Sequence, residues 1–154
     1  MKIDTTRFGK IDILDESILH IQGGMFGFEK NQRFAIVEEE ADSSLKWLQS
    51  MDDPALAFVV INPLDFFPDY DVELSEEEAE SLGLKNASGA AVITTVTVDK
   101  KSGEATTNLL GPIVINSCTL LAKQVVAQNE KYGTKHLIAR EIYQEKPLES
   151  AVAA

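Results

Sequence analysis

The sequence predicts a mainly β protein: an antiparallel β-sandwich or partly closed β-barrel with one or two short helices. Three observations carry that prediction. Short runs rich in Val, Ile, Thr and aromatic residues recur along the chain, punctuated by Gly, Pro and Asp. One stretch, residues 75–82, carries clear helix start and stop signals. The run 47–63, WLQSMDDPALAFVVINP, reads as two apolar strands joined by an acidic turn.

In that hairpin the second limb, AFVVI at 57–61, is β-branched and aromatic with no charge, the pattern of a strand buried on both faces. The first limb, 45–51, mixes Leu45, Trp47 and Leu48 with Lys46, Gln49 and Ser50 and reads as half exposed. Asp52-Asp53-Pro54 supplies the turn, because aspartates bond back to nearby backbone and proline presets φ while withholding a donor.

From the start of the chain, residues 2–7 and 10–14 read as a hairpin broken at Gly9, and ILHI at 18–21 continues the β pattern. In QGGMFGFEK the glycines have the wrong spacing for a phosphate loop, and they read as a tight loop folding its own aromatics onto a core. Residues 33–37 are a strand and 38–44 a polar loop. After Pro63, the segment LDFFPDYDVEL sets Phe66, Phe67 and Tyr70 among Asp65, Asp69 and Asp71, and Pro63 and Pro68 confine it to a loop or sheet edge. Residues 70–74 alternate, which predicts a strand with Asp69, Asp71 and Glu73 on one face and Tyr70, Val72 and Leu74 on the other.

Ser75 caps the helix with Glu78 at its third position, Leu74 stands where it can staple onto Ala79, and Gly83 ends it. Residues 86–89 are a loop, and AAVITTVTV at 90–98 is a strand by its valines and threonines. Residues 99–103 turn the chain, and strands at 106–110 and 113–116 flank Gly111-Pro112. Residues 120–128 permit a helix by composition, but the turn at 116–119 and the β context favour a strand. From Lys131 the chain is polar, with one or two helical turns expected. No repeat or linker divides it, so one domain over 1–145 and a frayed tail at 146–154 are expected.

The formal net charge is −11, unevenly placed: residues 1–84 hold 19 acidic and 6 basic side chains, and residues 85–154 hold 6 and 8. Between Lys46 and Lys85 there is no basic residue. Such a field repels nucleic acid and anionic membrane and steers a basic protein toward it, although acidic surfaces also serve solubility alone. The N-terminus lacks a secretory apolar core and no apolar run is long enough to span a bilayer, so a cytoplasmic protein is expected. Cys118, the single cysteine, reads as a reduced, packed thiol.

Catalytic patterns are sparse. His20 and His136 stand in no zinc spacing and read as structural, and no nucleophile elbow, P-loop or dinucleotide fingerprint occurs. Asp69, Asp71 and Glu73 leave one alternative, a metal-dependent or carboxylate-based enzyme or binding protein, but the glycine and later glutamate of a calcium loop are missing. Partner recognition fits the aromatic groups of this acidic edge better. The expected partner-binding residues are Asp52, Asp53, Asp65, Phe67, Asp69, Tyr70, Asp71 and Glu73, with no catalytic residue, metal or cofactor.

Several blocks, in order and over nearly the whole chain, resemble the bacterial flagellar assembly factor family FliW: ILHIQGGMFGFE, WLQSMDDPALAFVVINP, FFPDYDVELS, TNLLGPIVINSCTLLAKQVV and YGTKH. The chain departs from the family pattern at Gln22 and Phe26, where prolines are usual, and at Leu137, where a proline usually follows the histidine. The resemblance implies a cytoplasmic, non-enzymatic, chaperone-like β protein of flagellum biogenesis. It also implies two partners, flagellin and the RNA-binding translational regulator CsrA. Free flagellin would occupy the protein, and secretion of flagellin would release it to sequester CsrA and relieve repression of flagellin mRNA. An acidic surface suits a basic RNA-binding partner.

Overall fold

The computed structural model describes residues 1–38, 43–85 and 89–139. The described residues form eleven strands: β1 Lys2–Thr5, β2 Gly9–Asp12, β3 Ile18–Ile21, β4 Arg33–Val37, β5 Lys46–Ser50, β6 Ala57–Ile61, β7 Ala90–Val98, β8 Ala105–Thr107, β9 Ile113–Asn116, β10 Leu121–Gln124 and β11 His136–Ala139. The helix α1 spans Glu76–Ser81. β1 and β2 pair as a separate hairpin, and the other nine strands form one sheet in the order β11-β8-β7-β6-β5-β4-β3-β10-β9.

That sheet closes on itself. The nine-residue β7 pairs through Ala90 to Ile93 with β9 and through Thr94 to Val96 with β6, so β7, β6, β5, β4, β3, β10 and β9 complete a ring of backbone hydrogen bonds. Closure leaves no open edge among the ring strands. Of the two expected architectures, sandwich or partly closed barrel, the barrel is present and its ring is closed, with one departure from antiparallel pairing: β3 and β10 run parallel, Leu121 opposite His20 and Ala122 opposite Ile21. β8 continues from the far half of β7, and β11 pairs onto β8. Where β7 changes partners, Thr94 and Thr107 share a hydroxyl–hydroxyl bond of 2.7 Å and Thr107 Oγ1 donates to the Thr95 carbonyl, so the buried threonines are satisfied.

The ring interior is filled by alternate residues, including Leu19, Ile21, Phe34, Leu48, Phe58, Val60, Ile113 and Ile115. Met25 and Phe28 from the glycine loop join them, and the Phe28 and Phe58 rings meet edge-on at 5.4 Å. Phe26 of the same loop is instead 45% exposed. Outside the ring, Trp47, Val59 and Ile61 belong to a second cluster that Phe8 of the β1–β2 turn helps to cover, its ring meeting Trp47 at 5.8 Å while the Arg7 guanidinium stacks over Trp47 at 4.0 Å. β6 is thus buried on both faces, as its composition predicts.

Its partner β5 is also buried from Trp47 to Ser50, where half exposure is expected. The reason is tertiary, because the β1–β2 hairpin covers its outer face. Gln49 turns its amide Nε2 onto the carbonyls of Ser50 and Leu56 at 3.0 and 3.2 Å. Residues 69–74 form no strand, although their alternation of exposed and buried side chains persists. β8 stops at Thr107 because the Asn108 carboxamide accepts the N–H groups of Leu110 and Gly111. After Lys131 the chain forms β11 rather than helical turns, since β8 offers it a free ladder. Cys118 is exposed, not packed, on a turn held by the Asn116 carboxamide. The loop expected at 86–89 and the tail at 146–154 fall wholly or mostly outside the described residues.

Candidate partner-binding surface

The segment that follows β6 is pinned to the outside of the barrel at short intervals. Asn62 accepts the Leu64 N–H at 3.0 Å and opens the 3-10 turn Pro63–Asp65, and the Phe67 N–H returns to the Pro63 carbonyl at 2.8 Å. Tyr70 is 7% exposed, its hydroxyl donates to the Leu109 carbonyl at 2.7 Å, and its ring meets that of Tyr132 at 4.6 Å. Burial, with Tyr132 alongside, holds the Tyr70 proton well above the usual phenol range. The Tyr132 hydroxyl accepts the Asp71 N–H at 3.2 Å. Two tyrosines therefore anchor the segment from below.

That anchoring sorts the expected site residues. Asp65, Asp69, Asp71 and Glu73 all project to solvent from this segment, Phe67 is half-buried, and Tyr70 lies beneath with its hydroxyl committed. Asp52 and Asp53 sit elsewhere, on the β5–β6 turn at the opposite end of β6, so the length of a five-residue strand, ~17 Å, separates them from Asp65. Asp52 is engaged with Arg33 at 2.6 Å, and Asp53 accepts the Ala55 N–H at 3.0 Å. The structure thus brings five surface residues together on one segment and places the two aspartates of the turn apart from them.

Several concavities among the described residues border the segment, one of them between Asn62 and Asp65 on one side and Lys46 on the other. An acidic cleft of about 440 Å³ lies between Asp69, Asp71 and Glu73 on one side and Gln128, Asn129 and Lys131 on the other. Next to it, an aromatic hollow of about 330 Å³ is lined by Phe67, Pro68, Tyr132 and His136 among others. Phe67 meets the His136 ring edge-on at 5.9 Å, and His136 Nε2 accepts the Gly133 N–H at 2.7 Å. An apolar groove of about 370 Å³ runs along the other side of the segment, against α1. Among the described residues, no three His, Cys, Asp or Glu side chains converge to hold a metal ion. The three carboxylates of the alternative reading are therefore neighbours without a common centre.

Sequence reasoning about the site passed over Leu64, Lys131, Tyr132 and His136, all of which line these concavities. Leu64 is 48% exposed beside Pro63. Its only signal is an apolar residue in a proline-bounded loop. Tyr132 and His136 stand in the YGTKH block, but nothing local shows that they meet Phe67 some seventy positions away.

Fold and surface together define a ring-closed β-barrel with several concavities bordering one pinned, acidic segment. The FliW protein family matches residues 2–138, and the chain belongs to that family. A flagellar assembly factor FliW of Geotalea uraniireducens is 41% identical over 136 residues, 88% of this chain and 83% of the relative. That of Caldanaerobacter subterraneus subsp. tengcongensis is 38% identical over 143 residues, 92% and 95% of the two chains. The crystal structure of a flagellar assembly factor FliW superposes with a TM-score of 0.81 at 34% identity, covering 90% of this chain and 96% of the other.

Proposed function

We propose that this chain is a cytoplasmic, non-enzymatic factor of flagellum assembly that binds flagellin and the translational regulator CsrA, exchanging one for the other. Membership of a family of flagellar assembly factors is the observation that carries the assembly role. The partner reading is supported by the run of solvent-facing carboxylates at Asp65, Asp69, Asp71 and Glu73 around half-buried Phe67, which suits a partner with basic RNA-binding surface. Docking there would also repel RNA phosphates from the bound regulator, so binding and antagonism would have one electrostatic cause. Calorimetry of CsrA against the full chain, with and without flagellin, tests the reading. CsrA binding at micromolar concentration, lost when flagellin is present, is the expected result. No binding of either protein at that concentration would overturn it.

A further inference from the structure

The apolar groove beside the pinned segment is a site that the partner-exchange reading does not use. Leu64 and Val72 form one wall, Ala79 of α1 and Leu84 the other, and Val92 of β7 with Val114 of β9 the floor. Its volume, about 370 Å³, falls within the ~300–1,000 Å³ usual for ligand sites. The lining is nevertheless wrong for a small polar ligand. Among the described lining residues Tyr70 supplies the only neutral polar side chain, and that hydroxyl is already spent on the Leu109 carbonyl. What remains are two exposed charges, Asp71 and Lys85.

The charge on the elements that line the groove is mostly negative. Asp71 stands exposed in the wall segment, and α1, which supplies Ala79 to the other wall, carries exposed Glu76, Glu77 and Glu80. Lys85 is the one cation among the described lining residues. An apolar trough with these carboxylates beside it is complementary to an apolar chain segment with cationic flanks: burial of aliphatic side chains would supply affinity, and the carboxylates would set orientation and association rate. We propose that this groove seats the apolar side chains of a basic, amphipathic segment of a partner protein. The inference does not depend on which partner is named above.

Methyl NMR of the full chain, titrated with a short amphipathic leucine–lysine peptide at ~50 mM salt, tests it. A lysine–serine peptide of equal charge is the control for attraction without burial. The leucine–lysine peptide should shift the methyls of Leu64, Val72, Val92 and Val114, and the control should not. Ala79→Arg, which puts a long cation into the wall, should weaken that binding by about tenfold or more. Leu64→Asp, at an exposed loop position, should also weaken it and serves if Ala79→Arg fails to fold. Shifts spread over other acidic surface, equal shifts with the control peptide, or affinity within about twofold of the parent in the folded variants would overturn the inference. Calorimetry against CsrA is a separate measurement, so absence of CsrA binding would remove the proposed partner and leave the groove result standing.

Discussion

At the scale of single residues, Tyr70 shows how an aromatic side chain in an acidic loop serves the fold rather than the surface. Tyr70→Phe should cost about 1–2 kcal/mol in denaturant unfolding at pH 7, since it leaves the Leu109 carbonyl without its buried donor. The pH dependence has a definite sign. Burial raises the Tyr70 pKa in the folded state, so this contribution is fully present below pH 10, the ordinary phenol value, and is lost as pH climbs beyond it. Tyr70→Phe should therefore lose less stability than the parent between pH 9 and 11. Equal losses would mean that Tyr70 does not titrate differently on unfolding. The glycine loop offers a second contrast. Gly23 and Gly24 both have positive φ, but a Cβ on Gly23 meets nothing within 4 Å, whereas one on Gly24 meets the Glu29 backbone at 2.6 Å. Gly23→Ala should cost only the left-handed backbone strain, about 1 kcal/mol, and Gly24→Ala distinctly more, ~3 kcal/mol, because a backbone neighbour must move. Similar midpoints for the two variants would show that the loop yields easily.

Among the elements, α1 is the one whose local signals are complete. Ser75 Oγ accepts the Glu78 N–H at 3.0 Å and the Glu78 carboxylate accepts the Ser75 N–H at 3.0 Å, the reciprocal box that the sequence predicts. A helix of six residues cannot stand alone. It is held instead by Leu82, fully buried against Val114 and Val125, and by the Asn116 carboxamide on the Leu82 carbonyl at 2.8 Å. Ser75→Ala should cost about 1 kcal/mol with an unchanged denaturant slope, and the loss should appear first as faster amide exchange in α1. No change in exchange would place the helix's stability wholly in Leu82. The segment 69–74 illustrates the opposite case. Its alternation is legible and its faces are right, yet it forms no ladder, because tyrosine hydroxyls rather than a neighbouring strand hold it.

For the molecule as a whole, the asymmetry of charge is the property most open to test in solution. Reversing charge with Asp69→Lys and Asp71→Lys should slow association with CsrA and flatten its salt dependence, with a smaller effect on dissociation. Asp53→Lys, on the turn at the other end of β6, should have a weaker effect. If Asp53→Lys has the larger one, the interface belongs to the β5–β6 turn and the pinned segment is bystander surface.

What could be known without the structure was local. The strands at Ile18–Ile21, Arg33–Val37, Ala57–Ile61, Ala90–Val98 and Ile113–Asn116, the capped helix and the acidic turn all depend on neighbours within a few positions, through side-chain alternation, capping and turn chemistry. The matching blocks likewise carried the FliW family assignment. Closure of the ring through two halves of β7, the parallel pairing of β3 with β10, and the burial of β5 under Phe8 and Arg7 depend on residues far apart in the chain. Pairing at that range is decided by which faces remain uncovered once the barrel assembles, and a one-dimensional pattern does not contain it. The same holds for the candidate surface. Its carboxylates were visible as a composition, but the separation of Asp52 and Asp53 from Asp65, the withdrawal of Tyr70, and the groove between residues 64–72 and α1 exist only because β6 sets its two ends apart and two tyrosines pull the following segment onto the barrel wall.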